Sequence, residues 1–294
     1  MANFSRRDFL KSGLAATALA GAGSLGLKAA KQTATDMVTL GNSGLRVTRL
    51  AFGTGSFGGR VQRNLGQEDF TRLVRYAYDR GIRFFETAES YADMHRMLGI
   101  ALKGIPRDSY QLMTKVTTRP GADPMKKIDE LRKQANTDYF DICLLHFQHF
   151  ANWPTASLQW QEGISEAQHK DIVRVRGASV HGLPALRQVP TEKWLQVGMI
   201  RMNHKGVRMD AENYATHGLG NVPVVVKNVE EARKNGLGII SMKLAGEGQF
   251  TRREDRQKAM KFAFRHARVD AVTVGYKSKQ EVDEAIENVN LAFA

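Results

Sequence analysis

The chain has 294 residues, a formal net charge of +13, 42% hydrophobic residues and a single cysteine. One cysteine excludes an internal disulfide, and a chain of this length buries most of its apolar surface without one. The basic balance alone would suit a nucleic-acid binder, but there is no long basic run, zinc spacing or aromatic–basic interleaving. A solvated basic surface is the reading adopted, with part of the charge available to a phosphate-bearing ligand, and neither nucleic acid nor a bound metal is expected.

In chain order, the first feature is Ser5-Arg6-Arg7-Asp8-Phe9-Leu10-Lys11, followed by residues 12–27 with no charge and many Ala, Gly and Leu. That run is too short and too weakly apolar for a spanning helix, which needs about 20 apolar residues. A charged front and a modest apolar middle fit a removable signal. The seven residues resemble the twin-arginine export motif at every position. The resemblance implies the twin-arginine machinery as a partner, export in the folded state, a periplasmic or otherwise exported location, and no stable membrane span in the mature form. Ala20-Gly21-Ala22 and Ala29-Ala30 both suit cleavage, and no Cys follows the apolar run to carry a lipid anchor. The signal is assigned to residues 1–35. Residues 1–30 hold four basic residues and one acid, so their removal leaves +10.

Residues 36–294 are 259 positions, the usual size of one (β/α)₈ barrel. Met37–Leu40 and Leu45–Leu50 flank Gly41-Asn42-Ser43-Gly44 and read as a hairpin. Strand and helix patterns then alternate. Strands are read at Leu50–Phe52, Ile82–Phe85, Tyr110–Thr114, Phe140–Leu145, Val173–Ala178, Leu195–Arg201, Gly238–Met242 and Ala271–Val274. Helices are read at Gln67–Tyr78, His95–Leu102, Pro124–Lys133, Glu162–His169, Leu183–Gln188, Val226–Lys234, Arg252–His266 and Lys279–Ala292. Eight strand–helix pairs predict an α/β fold, a (β/α)₈ TIM barrel preceded by an N-terminal β-hairpin. Cys143 lies inside an apolar run and reads as a buried structural thiol.

Three short stretches carry the chemistry: Phe85-Glu86-Thr87-Ala88-Glu89-Ser90-Tyr91, Thr114-Lys115 and Leu144-Leu145-His146. Each closes an apolar run. In a parallel barrel such strand ends open onto one face, where active sites are built. Singly, each residue has a bland reading: a packed Tyr, a solvated Lys, a satisfied core His. Jointly, their order and flanking residues resemble the aldo-keto reductase family, in which an Asp, a Tyr, a Lys and a His serve carbonyl reduction by a nicotinamide cofactor. Three positions match, and Glu86 stands where that family has Asp. The resemblance implies Tyr91, Lys115, His146 and Glu86 as catalytic residues. A Tyr hydroxyl has an ordinary pKa near 10, and a neighbouring Lys⁺ is expected to lower it, bringing Tyr91 closer to the working pH as proton donor. Glu86 would hold Lys115 by a charge-assisted hydrogen bond. His146 would donate to the carbonyl oxygen as charge develops there. The extra methylene of Glu86 is expected to shift its carboxylate by about 1 Å, which matters to active geometry. Glu89 is read as solvent-facing, or as a substitute partner for Lys115.

The same resemblance places a nicotinamide dinucleotide across the barrel mouth, NADP favoured and NAD possible. Its implied contacts are Ser179, Asn203, Lys243, Gly275, Lys277 and Ser278. Loops after the last two strands are a general phosphate position, because a helix N-terminus there offers free N–H groups. Ser278 with Glu281 also reads as a capping box, and Lys243 as a solvated strand end. The chain departs from the family at Val180, Met199 and Met242, where an Asn, a Gln and an aromatic are expected. Residues Phe147-Gln148-His149-Phe150-Ala151-Asn152-Trp153 form an apolar-aromatic wall beside the proposed site, and the chain's end at Ala294, directly after the last helix, leads to the expectation of an open pocket for a small-molecule carbonyl substrate. The alternative function is a degenerate barrel that binds a nicotinamide nucleotide or a partner protein without efficient turnover.

Overall fold

A computed structural model describes residues 31–213 and 219–294. The twin-arginine motif, the uncharged run after it and both cleavage candidates lie outside the described residues. The described chain forms one compact unit, Gln32–Ala294.

A hairpin comes first, β1 (Met37–Thr39) and β2 (Arg46–Thr48), paired antiparallel. Then follow β3 (Leu50–Gly53), α1 (Arg60–Arg63), α2 (Gly66–Asp79), β4 (Phe84–Glu86), α3 (Met94–Leu102), β5 (Gln111–Thr117), α4 (Pro124–Ala135) and β6 (Phe140–Gln148). The second half runs α5 (Trp153–Ala156), α6 (Leu158–His169), β7 (Val173–Val180), α7 (Leu183–Leu186), β8 (Val197–Arg201), α8 (Val222–Lys234), β9 (Gly238–Met242), α9 (Arg253–Lys261), β10 (Ala271–Gly275) and α10 (Lys279–Ala292). Strands β3 to β10 pair in parallel and in order, and β10 returns to β3 to close the barrel.

Two apolar layers result. Phe70, Leu73, Val74 and Ala77 of α2, spaced on one helical face, are buried against the outside of the barrel with their counterparts on the other helices. Inside, Phe84, Met113, Ile142, Leu144, Val175, Val197 and Ile240 form a second cluster. Leu40 and Val47 of the hairpin join that inner cluster. Gly41 sits at φ +48, and a Cβ there would lie 2.3 Å from the Gly236 carbonyl oxygen, so only glycine allows the turn to press on the start of β9. The Asn42 N–H donates to the same carbonyl at 2.7 Å. The hairpin thus plugs the N-terminal end of the strands, and their C-terminal ends are left for the site.

Residues just before the hairpin also pack. Ala34 is fully buried, its N–H donates to Asn290 Oδ1 at 2.8 Å, and its carbonyl accepts from Leu50 at 3.0 Å. Strands β5 and β6 run to Thr117 and Gln148, beyond the read ends at Thr114 and Leu145. Their last residues are polar, so the apolar pattern stops before the pairing does. Helix α8 starts at Val222, four residues early, where the Asn221 side chain accepts from the Val224 N–H and Pro223 occupies the first turn. Cys143 is fully buried and its thiol is pushed up to about 12 by burial, which makes it inert at neutral pH.

Candidate active site

The C-terminal strand ends bring all four expected catalytic residues together. Glu86 ends β4. The chain then makes a single tight turn over Glu89–Tyr91, with Ala92 at φ +51, and this swings Tyr91 back over the barrel mouth. Space for the phenol comes from Gly55, where a Cβ would lie 2.6 Å from the Tyr91 hydroxyl oxygen. Lys115 lies inside the barrel on β5, and His146 follows Leu144 and Leu145 on β6.

Glu86 and Lys115 form an ion pair with both side chains buried. The Lys115 ammonium also donates to the Thr87 carbonyl at 2.9 Å. The second Glu86 oxygen accepts from Thr273 Oγ1 on β10 at 3.2 Å. Gly53 makes room for it: a Cβ there would lie 3.0 Å from Glu86 Oε2 and 2.6 Å from Thr273 Oγ1. The longer carboxylate is therefore built in from three strands, and the methylene that separates it from Asp is accommodated by a glycine.

The Lys115 ammonium lies 4.9 Å from the Tyr91 ring centroid. Burial lowers the Lys115 pKa, with Glu86 opposing that shift. The Tyr91 pKa stands well above its ordinary 10, raised by burial first and then by the charges of Glu86 and Glu247. This is the reverse of the direction read from the sequence. The reason is that Lys115 does not face the phenol alone: Glu86 neutralises it at contact distance, leaving desolvation in charge.

His146 packs edge-on against Tyr91, with ring centroids 5.6 Å apart. Its pKa is held well below 6.5 by burial, then by Lys115 and Lys243, so it is neutral. Its Nδ1 lies 3.1 Å from Ser90 Oγ. A Ser90 hydroxyl donating to Nδ1 leaves the proton on Nε2, the form that can donate to an oxyanion. A second neutral imidazole, His181, lies 6.5 Å from His146 between centroids and 4.5 Å from the Phe147 ring. Burial, then Arg201, depresses its pKa.

A cleft of about 610 Å³ runs from Gly53, Glu86 and Tyr91 past Met199, Met242, Lys243 and Glu247 to Gly275, Lys277 and Glu281. That volume lies in the range of cofactor sites. It joins the Glu86–Tyr91 end to the loops after β9 and β10. Of the residues expected to touch a cofactor, Lys243, Gly275 and Lys277 line this cleft. Ser179 is fully buried on β7, with its hydroxyl 3.4 Å from His181 Nε2. Asn203 donates to the Val207 carbonyl at 2.6 Å and accepts from the Lys205 and Val207 N–H groups, each at 3.1 Å. Its amide organises the loop after β8. Ser278 caps α10, accepting from the Glu281 N–H at 3.3 Å, while Glu281 Oε2 accepts from the Lys277 N–H at 2.8 Å. The Ser278 half of the capping box read from the sequence is thus formed, while the Glu281 carboxylate reaches back to Lys277, one residue before the cap.

Glu89 is not solvent-facing. Its carboxylate accepts from the Thr117 N–H at 2.8 Å and pairs with Arg119 at 2.6 Å, tying the β4 loop to the end of β5. Sequence reasoning missed Thr273, Ser90 and Glu247. Ser90 lay within the Glu86–Tyr91 motif and could have been found there; Thr273 and Glu247 reach the site only through barrel closure and a loop. Among the described residues, no group of three His, Cys, Asp or Glu could hold a metal ion, and no helix is long and apolar enough to cross a membrane.

Comparisons with known proteins agree with this architecture. Residues 49–292 match the model of the aldo/keto reductase family, and residues 3–23 match that of the twin-arginine translocation pathway signal sequence. A probable aldo-keto reductase 1 of Glycine max is 32% identical over 125 residues, 38% of this chain and 35% of that protein. An L-galactose dehydrogenase of Arabidopsis thaliana is 33% identical over 130 residues, 41% of this chain and 40% of that protein. The chain thus spans well under half the length of these curated relatives. A crystal structure of a putative aldo-keto reductase from Pseudomonas aeruginosa superposes with a TM-score of 0.71 at 19% identity, covering 90% of this chain and 99% of that one, a likeness of fold. With the family model spanning the whole barrel from β3 to α10, this chain belongs to the aldo/keto reductase family.

Proposed function

We propose that this protein is an exported, nicotinamide-dependent reductase of aldehydes or ketones, with NADPH the favoured cofactor and Tyr91 the proton donor. The observation that carries the reading is that Tyr91 and Glu86 line one end of the cleft, with His146 packed edge-on against Tyr91 and Lys115 paired with Glu86 behind them. Lys243, Gly275 and Lys277 would hold the dinucleotide, which when bound supplies hydride. The chain's own residues supply the rest. Neutral His146 donates through Nε2 to the carbonyl oxygen and orients it. Tyr91, fully protonated at neutral pH, gives its hydroxyl proton to that oxygen. The phenolate left behind lies beside the Lys115 ammonium, and Met199 and Met242 keep water from the cleft floor.

A sugar or quinone-like carbonyl is the proposed substrate. One relative's name specifies L-galactose, and Phe147 and Phe150 are exposed at the mouth by 41% and 61%. Packing of Ala34 against Leu50 and Asn290 supports signal removal ahead of Ala34, after Ala22 or Ala30, and the twin-arginine signal match supports delivery to the periplasm. A second reading, a barrel that binds nicotinamide nucleotide with little turnover, is favoured by the elevated Tyr91 pKa, which makes the phenol a poor acid.

Fluorescence titration of the processed chain with NADPH and NADH tests both readings. Saturable binding, tighter for NADPH, and turnover of an aldehyde panel support the reductase. Tyr91→Phe should then lower kcat by roughly 10²–10⁴-fold and leave cofactor affinity within about twofold. Binding without turnover leaves the second reading; no binding of either nucleotide to folded, ligand-free protein defeats both.

A further inference from the structure

The far end of the cleft holds a second glutamate–lysine pair. Lys243 follows β9 and Glu247 lies four residues on, with Nζ and Oε1 2.5 Å apart. Both line the cleft. The other Glu247 oxygen is 3.6 Å from Arg208 Nε, on the loop after β8. All three residues have left-handed backbone, with φ +60 at Lys243, +56 at Glu247 and +56 at Arg208. None is glycine. Side-chain-bearing residues held there are strained, and such strain gathers at ligand-holding and switching segments. The loop also crosses toward the opposite wall: a Cβ built at Gly248 would lie 4.0 Å from the Phe57 ring.

A (β/α)₈ barrel commonly takes a ligand phosphate at the loops after its last two strands. Lys243 is the kind of residue that position calls for, and a carboxylate is the opposite. Glu247 cancels the charge of Lys243 where an anion would approach, and its field reaches as far as Tyr91. We propose that Glu247 is a competing internal anion: with the cleft empty it holds Lys243, with Arg208 steadying its second oxygen, and Lys243 passes from its carboxylate to the diphosphate of an incoming dinucleotide. This inference rests on the dinucleotide reading above. It adds that affinity is set by an exchange of ion pairs, and that the exchange senses the diphosphate shared by NADH, NADPH and ADP, not the adenosine 2′-phosphate.

The test compares the parent with Glu247→Gln by titration with ADP, NADH and NADPH at low and moderate salt. Removing the competing charge should tighten all three by about tenfold at low salt, the scale of one unit charge across a partly buried cleft. The gain should be similar for each ligand and should shrink as salt screens the unmasked cations. In Lys243→Ala/Glu247→Gln the gain should largely vanish. The alkaline limb of the reductase pH profile should also move to lower pH in Glu247→Gln, because one of the charges that raises Tyr91 is gone. Unchanged or weaker ADP binding by a folded Glu247→Gln variant overturns the exchange while leaving the reductase reading intact if the parent binds NADPH. Failure of parent and variant alike to bind any of the three overturns both. Should Glu247→Gln fold poorly, Lys243→Ala alone decides: the exchange requires only a modest loss of ADP affinity, since the parent's Lys243 is already engaged, and a loss above a hundredfold would contradict it.

Discussion

Two Glu–Lys pairs sit in one cleft and are made of the same groups, yet they are held in opposite ways. Glu86–Lys115 joins adjacent barrel strands, is almost entirely buried, and is completed by Thr273 Oγ1 and the Thr87 carbonyl. Glu247–Lys243 lies within one strained loop, with side chains 17% and 24% exposed. In the first, both carboxylate oxygens and the ammonium have partners in the barrel wall, and the desolvation cost has been met once, by the fold. In the second, water reaches the pair and the backbone is held left-handed, so the partners can change. The contrast teaches that an ion pair's role follows from its frame: strands make a fixed electrostatic element, a left-handed loop makes an exchangeable one.

The largest expected break comes at the buried pair. Lys115→Met removes one partner of a buried pair and should cost about 3–5 kcal/mol of stability, measured by urea unfolding. The same change at Lys243 should cost under about 1 kcal/mol, as partly exposed pairs do; equal losses would dissolve the distinction. Next in size is the acid response. His95 is held down to about 3 by burial and then Lys115, and His146 and His181 lie well below 6.5 for the same leading reason. Their folded pKa values are below the unfolded one, so the unfolded chain binds more protons between the two. The stability these neutral imidazoles confer is present above pH 6.5 and is lost as pH falls below it, each adding up to about 1.4 kcal/mol per pH unit. Urea midpoints from pH 8 to 5 check this, and His146→Gln should flatten the slope. A smaller effect than that of Lys115→Met is expected at Glu86→Asp. The shorter side chain cannot reach both Lys115 and Thr273, so a loss of about 1 kcal/mol and a lower kcat are expected. A faster Asp variant would show that the site is not built around Glu86.

Much of this was legible in the chain. The apolar runs and their turns mark eight strands because each must be buried on both sides. The read ends failed where function begins: Lys115, Thr117 and His146 are polar, so strands β5 and β6 look shorter than their pairing makes them. The short helices α1 and α5 were missed because four residues carry no periodicity. Helix α8 was shortened because Val222–Val226 is β-branched and proline-bearing, yet Asn221 caps it. At the site, Tyr91, Lys115 and His146 stood out because residue type and position agree. The side chains of Ser179, Asn203 and Ser278 meet His181, loop backbone and a helix N-terminus; these partners are near in sequence, but which way each side chain turns is set by loop shape.

By itself the sequence determined the barrel, its hairpin plug and the identity of the four residues at its mouth, because periodicity and residue chemistry are local properties that survive without coordinates. Tertiary structure alone decided what surrounds those residues. Barrel closure brought Thr273 of β10 to Glu86 of β4, 187 residues away in the chain. Burial in the assembled barrel, more than any charge, sent the Tyr91 pKa upward, and the loop after β9 set Glu247 against Lys243. Charge effects depend on distance and burial, and neither is written in the order of residues.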